Sequence, residues 1–429
     1  MLRLIFVFLI IACGTYFAVQ TPFYALLFYL WNAYFRPEDW TYGGLIASLH
    51  LSLIIGTFLV ARTAFSLPPL KLGVRTGLVL AFLAQAIVST VTSEHPIWSL
   101  SFLTDFSKVL LVCYFIVLLV DDRKKLRVTL VVIALSLGFE CAKQGWANLY
   151  RAPGAKDDNT IAFLGDNNGV ALGTMMLVPI LGALANTAAR RWEKYTMRFL
   201  AIGVFLRGFT TYSRGGFLAA AALGVVTFVR SERKIRALIG VGAIAALMWY
   251  VMPQDYWNRI DTIAAPDTQR DDSAAGRLHF WSVALDMARA KPLTGVGLNG
   301  FSLSYGRYNT SQEFEGERVA HSAWFGILGD MGYIGLFLFL ANLSMAFGSC
   351  WRVHRMGRKD PRLRELRVYA NALIASLTAY VVAATFLSQE YSEMVWHFIA
   401  LSTALYLVTQ AEARATTPVP VVSKVARIA

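Results

Sequence analysis

The chain has 429 residues, 56% of them hydrophobic and only 16% charged, with a formal net charge of +13, a balance that excludes an ordinary soluble globular domain. Its apolar runs are continuous rather than alternating with period two, which excludes a β-barrel. Crossing a hydrocarbon core of about 30 Å takes about 20 apolar helical residues, and windows of that kind recur, so the predicted fold is an all-α polytopic membrane protein.

The apolar region 4–35 is too long for one straight span and is interrupted by Pro22. It is expected to cross once in net terms, as a kinked helix or as a span plus a re-entrant piece, placing Arg3 inside and the RPEDW turn at 36–40 outside. Further spans are predicted near 44–61, 76–92, 101–120, 127–149, 168–188, 196–212, 215–229, 236–252, 322–349, 368–387 and 394–411. That gives about twelve crossings with both termini cytoplasmic. Basic residues cluster in alternate short connections, as in Arg123/Lys124/Lys125/Arg127 and the run from Arg352 to Arg367. This is the positive-inside pattern, so the net charge implies orientation and no nucleic-acid partner. The segments 93–99, 150–167, 211–216, 253–320 and 388–393 fall on the opposite, external side. The resulting division is an N-terminal bundle (1–252), one large helical external loop or cap (253–320), a C-terminal bundle (321–411) and a cytoplasmic tail (412–429).

Within the loop, an irregular stretch rich in Asp and Pro leads into DDSAAGRLHFWSVALDMARAKP, which reads as an amphipathic helix. Asp272 or Ser273 is its expected N-cap and Pro292 lies beyond its end. Arg277, Trp281, Ala284, Leu285 and Ala288 share one face. The four cysteines are widely separated, with no metal-ligand or disulfide spacing, and no Asp-x-Asp cluster or nucleotide-binding glycine loop is present. No metal or cofactor is expected.

Charges inside a membrane cost about 2.5–3.5 kcal/mol each, so each asks for a partner or a role. Asp105–Lys108 and Glu140–Lys143 can pair within their helices. Lys143, followed by Trp146 and Tyr150, also fits a lipid-headgroup rim. Arg214 sits in the short turn TYSRGG, where Gly215 and Gly216 let backbone approach a ligand and the helix opening favours an anion. It reads either as an anion holder or as an interfacial arginine that snorkels. Asn167 and Asn168 in FLGDNNGVA either hydrogen-bond a substrate or cap a helix. His321, where the loop meets the next span, is either a polar cap or an acid/base group near neutrality.

Three stretches, TYSRGGFLA (211–219), GRLHFWSVALDMARAKPLTGVGLNGF (276–301) and AHSAWFGILGDMGYIGL (320–336), occur in this order. Together they resemble the O-antigen ligase and O-antigen polymerase superfamily of bacterial inner-membrane glycosyltransferases. FLGDNNGVA looks like a degenerate fourth element, with Asn168 at its Asn position. The RPEDW region is similar to the ligase subgroup associated with exosortase systems. The chain departs from the family pattern at Ser322, commonly Asn, and at Asp330, frequently Glu, both bearing on acceptor contacts.

The resemblance implies transfer of a glycan from undecaprenyl diphosphate to an acceptor hydroxyl on the periplasmic face, without metal or nucleotide, and a lipid A–core sugar is the leading acceptor. Carried over by position, Arg214 and Arg277 hold the diphosphate and His321 deprotonates or orients the acceptor hydroxyl. Lys143, Asn168, Gly215 and Trp281 are further substrate-binding candidates. A ligase acting on protein hydroxyls or a polymerase of repeat units would use the same donor. A transporter of lipid-linked sugar is the alternative of a different class, and membrane lipids are partners in every case.

Overall fold

The computed structural model describes residues 2–41, 44–231, 233–261 and 272–415. These are organised as helices α1 Leu2–Gln20, α2 Pro22–Phe35, α3 Pro37–Trp40, α4 Leu45–Ser48, α5 Leu51–Ser66, α6 Val74–Val91, α7 Pro96–Leu119, α8 Arg123–Arg151 and α9 Asn167–Thr187. They continue as α10 Arg191–Phe209, α11 Arg214–Arg230, α12 Lys234–Val251, α13 Gln254–Asp261, α14 Asp272–Ala290, α15 Phe301–Tyr308, α16 Ala323–Lys359, α17 Arg364–Ala384 and α18 Glu393–Ala415. Among the described residues, 8 helices are long and apolar enough to cross a membrane. This is a multi-pass membrane protein. The expected number of about twelve is larger because windows such as 127–149 and 196–212 fall in helices too charged to qualify alone, α8 and α10. These pack against each other at glycines, where a Cβ on Gly145 would meet the Gly203 carbonyl at 1.9 Å.

The N-terminal expectation is corrected. Pro22 opens a second helix after Thr21, whose hydroxyl caps it by accepting from the Tyr24 amide at 3.3 Å. Phe6 then meets Trp40 and Phe17 meets Tyr24, so α1 and α2 form an antiparallel hairpin. Residues 4–35 therefore run down and back rather than crossing once. Arg3 donates to the Trp40 carbonyl at 3.2 Å, at the same end as the RPEDW turn. Arg36 of that turn lies 3.5 Å from Glu393 at the start of α18.

The segments read as external gather at this one end. The Asp157 amide bonds the Thr210 carbonyl, and the Glu94 amide bonds the Val296 carbonyl. The basic connections gather at the other end, where Arg123 pairs with Glu412 and Arg127 with Glu193.

The stretch PLTGVGLNG (292–300) plugs a break in α16. Gly332 has φ 67° and ψ −168°, a region open essentially to glycine alone. The carbonyls of residues 329–331 and the Tyr333 amide, freed by the break, are engaged. Val296 N donates to the Gly329 carbonyl at 2.9 Å, Gly297 N to Asp330 O at 3.1 Å, and Tyr333 N to Pro292 O at 2.9 Å. From α6, Gln85 donates to the Leu293 and Met331 carbonyls and Ser89 to Asp330 O. A Cβ at Gly332 would stand 2.5 Å from the Pro292 carbonyl oxygen. Gly332→Ala is expected to cost about 1–3 kcal/mol from backbone strain alone, read as a lowered melting temperature in detergent. An unchanged melting temperature would refute this account of the break.

The loop that follows α12 carries its own small core of Phe280, Val283, Ala284, Met287, Val296, Phe301, Tyr305 and Ala320. Its first part is helical (α13) rather than irregular as expected, while 262–271 and the N-cap side chains Asp272 and Ser273 lie outside the described residues.

Candidate functional site

A cavity of about 790 Å³ lies between the helical bundle and this loop. Its floor is the start of α11. Ser213 caps that helix by accepting from the Gly216 amide at 3.2 Å, and its hydroxyl donates to Asn168 Oδ1 at 3.0 Å. Arg214 is thereby fixed as the first helical residue, beside the backbone of Gly215, and both line the cavity. Tyr212, just before the cap, is held with φ 54° and ties to the Gly154 carbonyl at 2.8 Å through its hydroxyl. Asn168 also lines the cavity, and it is not a cap: Asp166 caps α9 by accepting from Gly169 N at 2.8 Å.

The segment 152–166 supplies Lys156 and Asp166 to one wall. It is pinned by Arg207, a fully buried guanidinium near the end of α10. Arg207 donates to Gln144 Oε1 at 2.8 Å and to the carbonyls of Asp157 and Asn159, and it pairs with the Asp157 carboxylate at 3.6 Å. Sequence reading missed it, although a lone arginine in an apolar helix that must find a partner was the available signal.

The facing wall comes from α14 and the approach to α16. Arg277 lines the cavity, and its Nε is buried without a hydrogen-bond partner. Burial first, and Arg214 second, disfavour its charge. Two guanidiniums crowded in this way are relieved by an anion between them. His321 follows with φ 47°, a left-handed conformation that costs a histidine about 1–3 kcal/mol and recurs at functional sites. Ser322, not His321, occupies the cap position of α16, so the cap alternative for His321 is removed. Phe280 lies 6.0 Å from the imidazole, centroid to centroid. The ring's pKa is lowered, by burial most and then by Arg277 and Arg318, with Asp166 opposing. A neutral imidazole at neutral pH can accept a proton.

Two sequence candidates lie elsewhere. Lys143 is engaged with Glu140 at 2.8 Å on the exposed flank of α8, away from the cavity lining. Trp281 does not line the cavity either. Its Nε1 donates to the Ala320 carbonyl at 3.1 Å and its ring stacks on Phe325 at 5.0 Å, which positions the backbone next to His321. Asp330 is likewise not an acceptor contact. It is 1% exposed, accepting from Phe301 N at 2.8 Å and the Tyr391 hydroxyl at 2.9 Å. Sequence reading also missed Arg318, Phe280 and Phe314, which line the cavity. Trp281→Ala removes one hydrogen bond and one stacked pair, each worth about 1 kcal/mol. Turnover is expected to fall by up to about thirtyfold, with Trp281→Phe intermediate because it keeps the stacking. Equal activity in all three proteins would exclude the positioning role.

No group of three or more His, Cys, Asp or Glu side chains that could hold a metal is found among the described residues. The cavity at one end of this multi-pass helical membrane protein, lined by two arginines and an imidazole of lowered pKa, offers groups that can hold an anion and accept a proton. Residues 199–340, which contain Arg214, Arg277 and His321, match the family model described as O-antigen ligase, and residues 1–206 match a family of unknown function. The segment 199–340 is thus similar to the O-antigen ligase family, which supports a place in that superfamily. No curated protein matches it.

Proposed function

We propose that the protein transfers a glycan from undecaprenyl diphosphate to a sugar hydroxyl of lipid A–core, as an O-antigen ligase. The observation that carries this reading is the shared cavity of Arg214, Arg277 and His321, with Arg277 Nε buried and unpartnered. The two guanidiniums hold the diphosphate, to which fixed planar donors are suited. His321 accepts the proton of the acceptor hydroxyl as its oxygen bonds the anomeric carbon. The anomeric C–O bond to phosphate breaks, and the lipid diphosphate leaves with its charge held by the arginines. Asn168 and the backbone at Gly215 shape the donor side, and residues 253–320 act as a cap over it. The basic connections at the far end favour a cytoplasmic placement there, which turns the cavity to the periplasm of a bacterial inner membrane.

The test uses purified protein, undecaprenyl-diphosphate glycan and core-bearing lipid A, with chelator and no nucleotide. A lipid A product raised in mass by the glycan supports ligation. Glycan joined only to a protein hydroxyl or to a second repeat unit would reassign the acceptor. Donor crossing vesicles without covalent change would replace the reading with transport.

A further inference from the structure

The basic end of the bundle, opposite the transferase cavity, holds a second site that the proposed reaction does not use. Lys71, in the connection before α6, and Arg75, in its first turn, line a cavity of about 450 Å³. That cavity shares Arg75, Thr76 and Thr403 with a groove of about 350 Å³ running between α6, α7 and α18. The groove is walled by apolar side chains such as Leu83, Leu110, Ile399 and Trp396. The two spaces thus form one channel with a cationic mouth and an apolar body.

Arg75 is held in place at the junction. Its Nε donates to Ser349 Oγ at 2.7 Å, and its guanidinium lies 3.9 Å from the centroid of the Tyr406 ring. Its Nη2 is nonetheless buried with no hydrogen-bond partner. Lys71 Nζ makes one bond, to the Val117 carbonyl at 3.1 Å, and an ammonium has two more protons to donate. The α6 opening adds amides, since Gly73 caps it without a side chain. The carboxylate of Asp121 also lines the mouth, but it is engaged by Lys125 Nζ at 2.6 Å. Deeper, Tyr114 lines the groove, and its hydroxyl is buried without a partner.

We propose that this channel binds one anionic phospholipid, with its phosphate on Arg75, Lys71 and the α6 amides and one acyl chain between α6, α7 and α18. A phosphate completes the unmet donors at the mouth, and the Tyr114 hydroxyl supplies a further donor inside the groove. A free phosphate would gain nothing from the groove, whereas an acyl chain fills it with matching apolar surface. The surrounding connections are rich in Lys and Arg, so anionic lipid is concentrated at this end. Since α6 also carries Gln85 and Ser89, the bound lipid steadies the helix that supports the α16 break.

The test is native mass spectrometry of the full chain, delipidated in detergent and titrated with dioleoyl phosphatidylglycerol, dioleoyl phosphatidylcholine or inorganic phosphate. Expected is one phosphatidylglycerol retained in preference to phosphatidylcholine, and not displaced by millimolar phosphate. Binding should weaken at least about tenfold in the Lys71→Gln/Arg75→Gln double variant, which removes both cations that attract the headgroup. Equal retention of both lipids, or undiminished phosphatidylglycerol on the folded double variant, would overturn the proposal. Displacement by inorganic phosphate alone would make this a site for the free anion and overturn the lipid assignment. A photoactivatable phosphatidylglycerol on wild-type protein needs no variant: adducts on α6, α7 or α18 lining residues support the site, and adducts confined elsewhere refute it.

Discussion

Arg277→Ala is expected to lower glycan transfer by about 10²–10³-fold at saturating donor, the range for removing a fixed donor to developing charge in a water-poor site. Arg214→Ala should fall in the same range. Both losses should equal or exceed that of His321→Ala, because in the proposed reaction the departing lipid diphosphate carries the largest charge. The cavity gives the reason. Arg214 is set by the Ser213 cap at the head of α11, and Arg277 comes from the opposite wall with Nε unmet. Two cations placed before substrate arrives need no reorganisation when the charge develops. Arg277→Lys is expected to recover little, since a point charge cannot give two parallel hydrogen bonds. Donor turnover by mass spectrometry, with melting temperature as the fold control, decides the matter. Near-normal transfer by both folded alanine variants would remove the diphosphate assignment.

The second large effect is at His321. His321→Gln should cost about 10²-fold or more, the usual share of one general base, and should abolish the acid limb of the pH–rate profile. Burial, Arg277 and Arg318 hold the free imidazole below its ordinary 6.5. The protonated ring is the inactive form, so kcat/KM falls only as pH drops through that lowered value. A bound diphosphate offsets the field of Arg277 and raises the ring's affinity for a proton. The acid limb of kcat is therefore expected at higher pH than that of kcat/KM. Arg318→Gln should move the kcat/KM limb upward, because one depressing charge is gone. An acid limb that survives in His321→Gln would assign the titration to another group and leave His321 as an orienting donor.

The polytopic helical class was legible in the sequence because apolar length and continuity are local properties, and hydrocarbon admits few alternatives to helix. The residues Arg214, Arg277, Asn168 and His321 were legible too. Arg214, Asn168 and His321 are polar residues where an apolar helix begins or a loop meets the bundle, Arg277 lies on the amphipathic helix of the loop, and the order of their motifs carried the family resemblance. The face expected to group Arg277 with Trp281 is split by the packing. Arg277 reaches the cavity, while Trp281 turns to Ala320 and Phe325. Spacing along a helix fixes which residues share a face, not what that face meets.

Local residue pattern thus carries the helical membrane class and the cast of charged residues at one end of it. Tertiary structure decided the rest, because the deciding contacts join residues far apart in the chain. Arg3 meets Trp40, which turns the N-terminal segment into a hairpin that Pro22 alone leaves ambiguous. Arg207 pins the 152–166 wall through Asp157 and Asn159. Asp330 and Gly332 belong to a break in α16 filled by 292–300, rather than to the acceptor. Unmet backbone groups and buried charges must find partners wherever the fold offers them, and no local pattern says which distant segment will supply them.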